Sequence, residues 1–377
     1  MKICLVNNLL APWSRGGAEK IVNTLAEAVL ADGHEVIFIS TKPPGAATPP
    51  TKIKHYYLSS CYQALSGWPY LVKLFWHSGD FFNIFRYQKL KKFLQAEAPD
   101  LLITNNLTGI GFFIGRLAQK LQIKHSHILH DIQLLHPSGL LPYGRVGELA
   151  TPLAKFYQSL TRQHLGQPRV VVAPSQWLMN EHLKRHFFTD SLSIVRLNPV
   201  DNLSATNHRP FDKAVVEYIF LFVGQIEEHK GIKLLLSAWT DFISRTKAEA
   251  KLKIVGDGSL LASLKLTKTP QVEFVGRLAG QALSQSYAQA NCLVVPSLCY
   301  ENSPTVIYEA TLAGLPVIAS ALGGSKELLA DDYLFRPEVK NLSDKLFWAY
   351  QKRSELIAPR LALLSGAAYW QRLKALL

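Results

Sequence analysis

The run CLVVPSLCYENSPTVIYEATLAGLPVIAS, residues 292–320, reads as a strand, a loop, a helix and a second strand. CLVVPS and PVIAS are short apolar runs with β-branched residues, the pattern of strands buried on both faces. Between them Ser303-Pro304 places an N-cap residue type before the proline favoured at the first helical position, so a helix is expected from about Pro304. The same alternation extends outward. KICLV, EVIFIS, DLLIT and RVVVAPS read as strands in the first half, with helices such as Ala18–Ala31 between them, and EYIFLFVG, KLKIVG and VEFVG precede the quoted run in the second. Apolar strands separated by helices mean parallel sheets covered by helices on both faces. The fold class is therefore α/β, with two Rossmann-like, doubly wound domains, and 377 residues exceed what one core organises.

The proline- and polar-rich stretch RLNPVDNLSATNHRPFD, residues 196–212, breaks the pattern and marks the boundary. A first domain is expected over 1–200 and a second over 201–355. The last segment, 356–377, contains an amphipathic helix with no strand after it, expected to cross back onto the first domain. Ligands of open α/β sheets bind outside the carboxyl ends of the strands, which puts the site in a central cleft between two facing domains.

Apolar residues make up 48% of the chain and charged residues 18%, a folded composition. The N-terminus carries no A-x-A cleavage pattern and no window holds about 18 uninterrupted apolar residues, so neither a signal peptide nor a membrane span is expected. Four cysteines form no C-x-x-C pair and read as reduced thiols of a cytoplasmic protein. Of the formal charge of +13, residues 1–200 carry +10 (21 Lys/Arg against 11 Asp/Glu) and residues 201–377 only +3 (20 against 17). The first half is suited to an acidic partner, and equally to a basic surface kept for solubility.

Chemistry concentrates at strand-to-helix turns. The first-turn N–H groups at Thr305 and Val306 have no intrahelical partner and carry the positive end of the helix dipole, which suits a phosphate. Glu309 lies four residues after Thr305 on the same face and leans toward the helix start. A carboxylate accepts paired hydrogen bonds from vicinal hydroxyls, as on ribose, and does not face a phosphate, so Glu309 is expected at a sugar diol or else as a structural acid bonded to backbone. Glu301 approaches the same spot from the loop. In LFVGQIEEHKGIKLLLSAW the chain passes Gly224 and Gln225 to Lys230, at a strand end, which suits a diphosphate but also fits an ordinary lysine ahead of a helix. Gly16-Gly17, before the first helix, either lets backbone N–H groups approach a ligand or serves a simple turn. Arg277, at another strand end, is placed to line a base.

Other chemistries lack their residues. VGDGSL at 255–260 has leucine where a dinucleotide fingerprint needs its third glycine, and neither a P-loop nor a D-x-D pair occurs, so no metal or nicotinamide cofactor is expected. The histidines of KHSHILHDIQLLHP come without a supporting cysteine or carboxylate geometry for metal.

With these pieces placed, the chain resembles the family 4 retaining glycosyltransferases of the GT-B fold over nearly its whole length. The resemblance rests on RGGAEKIV, LHD at 129–131, APSQWL at 173–178, LNPVD at 197–201, FVGQIEEHKG, KIVGDG, VEFVG, and above all ENSPTVIYEA followed by AGLPVIAS and GGSKEL. It implies that Glu309 binds the ribose of a nucleoside-diphosphate sugar (UDP- or GDP-linked), that Glu301 orients the donor sugar, and that Lys230 holds the diphosphate. It further implies that Gly16 and Gly17 close onto the donor phosphate and that His130 contacts the transferred sugar. Ser303, Pro304 and Thr305 then open the helix toward the phosphates. Gln225 departs from the family, which typically has arginine there; leaving-group stabilisation would fall more on Lys230 and the helix start. The implied reaction retains configuration by front-face departure of the diphosphate, without a metal or cofactor.

Residues 61–95 interleave aromatics with Lys73, Arg86, Lys89, Lys91 and Lys92 and hold one acid, Asp80. Such helices suit an anionic membrane surface, or pack as ordinary amphipathic helices on their own domain. The expected acceptor is a glycan or lipid-linked molecule in polysaccharide or glycolipid assembly, with the enzyme peripheral on the cytosolic face. Nucleic acid is not expected. A sugar-nucleotide epimerase and a catalytically weak nucleotide-sugar-binding protein are the rival functions.

Overall fold

Two sheets organise the computed structural model, which describes residues 1–14, 16–200 and 217–377. Contacts divide the chain into two units, the first comprising Met1–Leu140, Val146–Asp201 and Leu364–Leu377, the second Leu141–Arg145 and Asn202–Leu363. Most of the expected 196–212 linker lies outside the described residues.

In the first unit, β1 (Lys2–Val6), β2 (Glu35–Lys42), β3 (Lys54–Ser59), β4 (Leu101–Thr104), β5 (Lys124–Ile128), β6 (Val170–Ala173) and β7 (Leu192–Val195) form a parallel sheet in the order β3-β2-β1-β4-β5-β6-β7. Chain order reverses its direction of growth between β1 and β4, which creates a crevice at their carboxyl ends. Three strands go beyond the sequence reading. β3 and β7, at the sheet edges, have weak apolar signals. β5, KHSHI, looks polar yet is buried from His125 to Ile128. Thr104 resolves that conflict: its hydroxyl sits 2.8 Å from both His125 Nε2 and His127 Nδ1. Burial holds the His125 imidazole down at about 3 and that of His127 well below its ordinary value, so both are neutral in the strand.

Helix Gly17–Ala31 turns Ile21, Val22, Leu25 and Val29 onto the sheet. Helix Gly366–Lys374 packs against it through Tyr369, Trp370 and Leu373, all buried in the same core. Gly366 allows the close crossing, because an added Cβ would lie 2.8 Å from Thr24 Cγ2. Asp32 accepts hydrogen bonds from Trp370 Nε1, Gln371 Nε2 and Lys374 Nζ, each 2.8 Å.

The second unit contains β8 (Tyr218–Val223), β9 (Ala250–Val255), β10 (Val272–Gly276), β11 (Cys292–Val295), β12 (Val317–Ser320) and β13 (Leu334–Phe335), parallel in the order β10-β9-β8-β11-β12-β13. Its switch point lies between β8 and β11. Phe220, Trp239, Phe242 and Leu346 anchor the core between the sheet and the helices Ile232–Thr246 and Val339–Gln351. The glycines of VGDG serve backbone approach: a Cβ on Gly256 or Gly258 would collide with the carbonyl oxygens of Gly224 or Ile226, respectively.

Candidate active site

In the second unit, the loops leaving β8 and β11 meet at the switch point. Leu298 N–H donates to His229 O at 2.9 Å and ties the two loops together. Gly231, at φ +73°, passes so close to Pro296 that any Cβ would run into the Pro296 carbonyl oxygen. This contact holds the segment before helix Ile232–Thr246 against the end of β11, and sets the preceding residue, Lys230, beside Glu301.

Lys230 Nζ donates to Glu301 Oε1 at 2.6 Å, and Ser297 Oγ donates to the same oxygen at 2.8 Å. Cys299 Sγ lies 3.9 Å from it. All three contacts fall on Oε1, which leaves Oε2 available to a ligand. Burial alone would push the Lys230 ammonium down and the Glu301 carboxyl up. Their mutual attraction outweighs it in both directions, so Lys230 is raised, Glu301 is lowered, and the pair is charged. Burial also pushes the Cys299 thiol up to about 12, so it stays a protonated neighbour.

The Glu301 backbone is fixed as well, since its carbonyl accepts from Gly324 N–H at 2.7 Å. Gly323, at φ +55°, leaves no room for a Cβ against that carbonyl. The GGSKEL motif thus holds Glu301 in place.

The helix that follows spans Thr305–Leu312, with Pro304 in the N-cap position. The expected cap is corrected here: Ser303 makes no cap hydrogen bond, and its hydroxyl instead pairs with the Tyr308 hydroxyl one turn on. A proline has no side-chain acceptor to offer the first N–H groups, so the helix start keeps its donors for a partner. Glu309 is half-buried and accepts from Tyr287 OH at 2.6 Å through Oε2. Tyr287 comes from helix Gly280–Gln289 and is itself buried. Of the remaining residues, Gly224 and Gln225 follow β8 directly, while the exposed Arg277 follows β10 at the sheet edge.

In the first unit, buried Asn7, Asn8 and Asn105 line the carboxyl ends of β1 and β4. Asn105 Nδ2 donates to Val6 O at 3.0 Å, which orients the amide so that Oδ1 faces His130 Nε2 at 2.9 Å. Nε2 therefore carries the imidazole proton and Nδ1 is the acceptor. Burial holds His130 down at about 4, so near neutrality it is a neutral group suited to a hydroxyl and not a cation for phosphate. Next to it, burial pushes the Asp131 carboxyl up to about 7 against a hydrogen bond from Gln133 N–H at 2.7 Å.

Gly16 has extended backbone, so no positive φ explains it, and its N–H donates to Glu19 Oε2 at 2.9 Å. Arg15 before it lies outside the described residues. Among the described residues no three His, Cys, Asp or Glu side chains converge as a metal site.

Residues 15–202 match the family model Glycosyltransferase Family 4, and residues 217–352 match the model Glycosyl transferases group 1. The chain belongs to glycosyltransferase family 4. Over 345 residues this family 4 glycosyltransferase is 28% identical to an uncharacterised 42.6 kDa protein in the cps region of Klebsiella pneumoniae, covering 87% of each chain. Among solved structures it is similar to the sucrose-phosphate synthase of Thermosynechococcus elongatus, with a TM-score of 0.70 at 19% identity, covering 100% of this chain and 94% of the other. The Anabaena protein Alr3699/HepE, solved in complex with UDP and glucose, gives a TM-score of 0.66 at 18% identity, covering 99% and 95%. At such identities the likeness shows the fold, which is GT-B. Tyr287, Ser297, Gly231, Gly323 and Asn105 escaped the sequence reading. Tyr287, Gly323 and Asn105 each support a site residue from a distant stretch of chain, Ser297 reaches Glu301 across its own loop, and Gly231 acts through its contact with Pro296. Nothing in local spacing announces these contacts.

Proposed function

We propose that this glycosyltransferase moves a sugar from a UDP- or GDP-linked donor to a glycan or lipid-linked acceptor, with retention of configuration and without a metal, in assembly of cell-surface polysaccharide or glycolipid. One observation carries the reading: the Lys230–Glu301 pair stands at the carboxyl-end crevice of β8 and β11, just ahead of the uncapped helix start at Thr305. Lys230 has three N–H donors and spends one on Glu301, which leaves two for a diphosphate. Glu301 Oε2 takes a hydroxyl of the donor sugar, and Glu309, steadied by Tyr287, takes the ribose diol. Gly224, Gln225, Ser303, Pro304 and Thr305 border the diphosphate, and Arg277 serves the base. In the first unit, His130 serves the transferred sugar, and Gly16-Gly17 the donor phosphate. The naming of UDP and glucose in the HepE complex supports a nucleotide-sugar donor.

The bond from the anomeric carbon to the diphosphate breaks as the acceptor oxygen bonds to that carbon on the same face, and the acceptor proton passes to the departing phosphate oxygen. Lys230 and the helix start stabilise the charge that develops on that leaving group. Gln225 brings donors but no charge, so Lys230 carries the larger share.

The test is transfer of label from a panel of UDP- and GDP-sugars into a lipid or glycan fraction of membrane extract, alongside calorimetric binding of UDP and GDP. Acceptor-dependent transfer by the wild type, lost in Lys230→Ala, supports the reading. Acceptor-independent release of nucleotide and altered sugar would favour an epimerase, and binding without turnover would leave a binding protein.

A further inference from the structure

Helix Tyr70–Phe81 and helix Ile84–Glu97 present an apolar surface that the core does not use. Val72, Phe75 and Gly79 follow the i, i+3, i+7 spacing of one helix face, and Phe82 continues the stripe at the helix end. The phenylalanine rings protrude: Phe75 is 77% exposed, Phe82 66% and Phe85 80%, with Ile84 exposed between them. Large apolar side chains gathered on two consecutive helices mark an interaction surface, unlike a scattered exposed leucine. Helix Pro152–Leu165, which meets the end of the first of these helices through the Phe81–Tyr157 ring contact at 5.4 Å, carries two more exposed apolar residues, Leu153 and Phe156.

Charge selects the occupant. Phe85, Lys89 and Lys92 share one exposed stripe of helix Ile84–Glu97, opposite the buried Leu90 and Leu94. The single acid of residues 61–95, Asp80, is withdrawn from the surface: it is buried, paired with Arg86, and accepts from Gly109 N–H at 2.8 Å. Residues 61–95 therefore offer protruding aromatic rings beside lysines, on a half of the chain that carries a net charge of +10.

We propose that these two helices dock the enzyme on an anionic lipid bilayer, with Phe75, Phe82 and Phe85 entering the acyl boundary and Lys89 and Lys92 reaching the headgroups. Convex projecting rings enter a fluid interface without a complementary pocket, and lysine stems lie along the apolar layer while their ammonium groups stay in water. The proposal deepens the glycosyltransferase reading, on which it rests only for its consequence that the acceptor is taken from the membrane surface.

The test is co-sedimentation of the full chain with vesicles of phosphatidylcholine alone and of phosphatidylcholine mixed with phosphatidylglycerol. The wild type should bind the mixed vesicles, release in high salt, and bind neutral vesicles weakly. Lys89→Gln with Lys92→Gln should weaken binding to the mixed vesicles by on the order of tenfold or more. The triple variant Phe75→Ser, Phe82→Ser, Phe85→Ser should abolish it while circular dichroism, melting temperature and UDP or GDP affinity stay unchanged. Retained vesicle binding in the triple variant overturns the proposal, as does equal binding to neutral vesicles. So does a dimer in sedimentation velocity that the triple variant dissolves, which would assign the surface to a second copy of the chain. The nucleotide affinity keeps the outcomes apart, since loss of the donor reading would appear there and failure of docking would not.

Discussion

Lys230 and Glu301 lie 71 residues apart in sequence and meet at 2.6 Å where the loops after β8 and β11 converge. The contact does two things: it raises the Lys230 ammonium against its burial, and it aims its remaining donors, a role that the amide oxygen of a glutamine can keep. Lys230→Ala should weaken nucleoside diphosphate binding at least tenfold, about 1.4 kcal/mol, and lower kcat by roughly 10²–10³, the usual loss when a transition-state donor is removed. Glu301→Gln keeps the shape and should lower kcat while changing that affinity by less than about threefold, or ~0.7 kcal/mol. Calorimetry and steady-state kinetics separate the two effects, and unchanged affinity in Lys230→Ala would remove the site assignment.

Glu309 depends on a residue that spacing alone does not reveal. The Tyr287 hydroxyl donates to one of its carboxylate oxygens, so Tyr287→Phe should let that carboxylate turn without emptying the core. A hydrogen bond to a charged group is worth about 1.5–3 kcal/mol, so KM for the donor should rise roughly tenfold or more, with kcat nearly kept and the melting temperature within a few degrees. A fall in kcat at constant KM would place Tyr287 in the chemistry and not in holding the ribose carboxylate.

The alternation of strands and helices was legible because parallel strands buried on both faces are apolar throughout, as in KICLV and CLVVPS. The helix bearing Glu309 was legible because Ser-Pro announces a helix start, although the cap fell to Pro304 once Ser303 turned to Tyr308. β5 stayed hidden because KHSHI reads as polar, and only Thr104, on the neighbouring strand, makes those histidines tolerable inside a sheet. Lys230 was visible as a lysine at a strand end, but its partner was not. Which carboxylate it meets is decided by Gly231 against Pro296, a contact between elements that no local pattern encodes.

That contact yields a third prediction. Gly231→Ala places a Cβ at a positive φ and against the Pro296 carbonyl oxygen, so the turn must open and carry Lys230 away from Glu301. Strain of this kind costs of order 1–3 kcal/mol. Thermal unfolding should register that loss, and transfer activity should fall as far as in Lys230→Ala. Gly231→Ala with full activity would show that the pair does not depend on the close approach.

The first unit should fail in mild acid, and the sign follows from its histidines. Burial holds His125 at about 3, His130 and His182 at about 4, and His127 well below its ordinary value, against about 6.5 in an unfolded chain. Between pH 6.5 and about 4 these histidines take up protons in the unfolded chain that they refuse in the fold, so their joint contribution is complete above 6.5 and falls below it. Asp131, pushed up to about 7, gains its proton first in the fold and offsets about one of them. Each such histidine contributes up to about 1.4 kcal/mol per pH unit in that window. Carboxylates with lowered pKa, such as Glu301, lose their contribution only at lower pH and do not produce this slope. His182 lies beside Phe187 and Phe188, with ring centroids at 5.7 and 5.8 Å, so His182→Phe keeps an aromatic ring there while removing one protonation site. It leaves the Leu178 carbonyl without its side-chain partner, which lowers stability by a similar amount at every pH. Denaturant melts at pH 7, 6 and 5 should show a decline shallower by about 1.4 kcal/mol per unit in His182→Phe than in the wild type. Parallel declines in the two proteins would mean that His182 takes up its proton equally in the folded and unfolded chain, and that the acid sensitivity has another source.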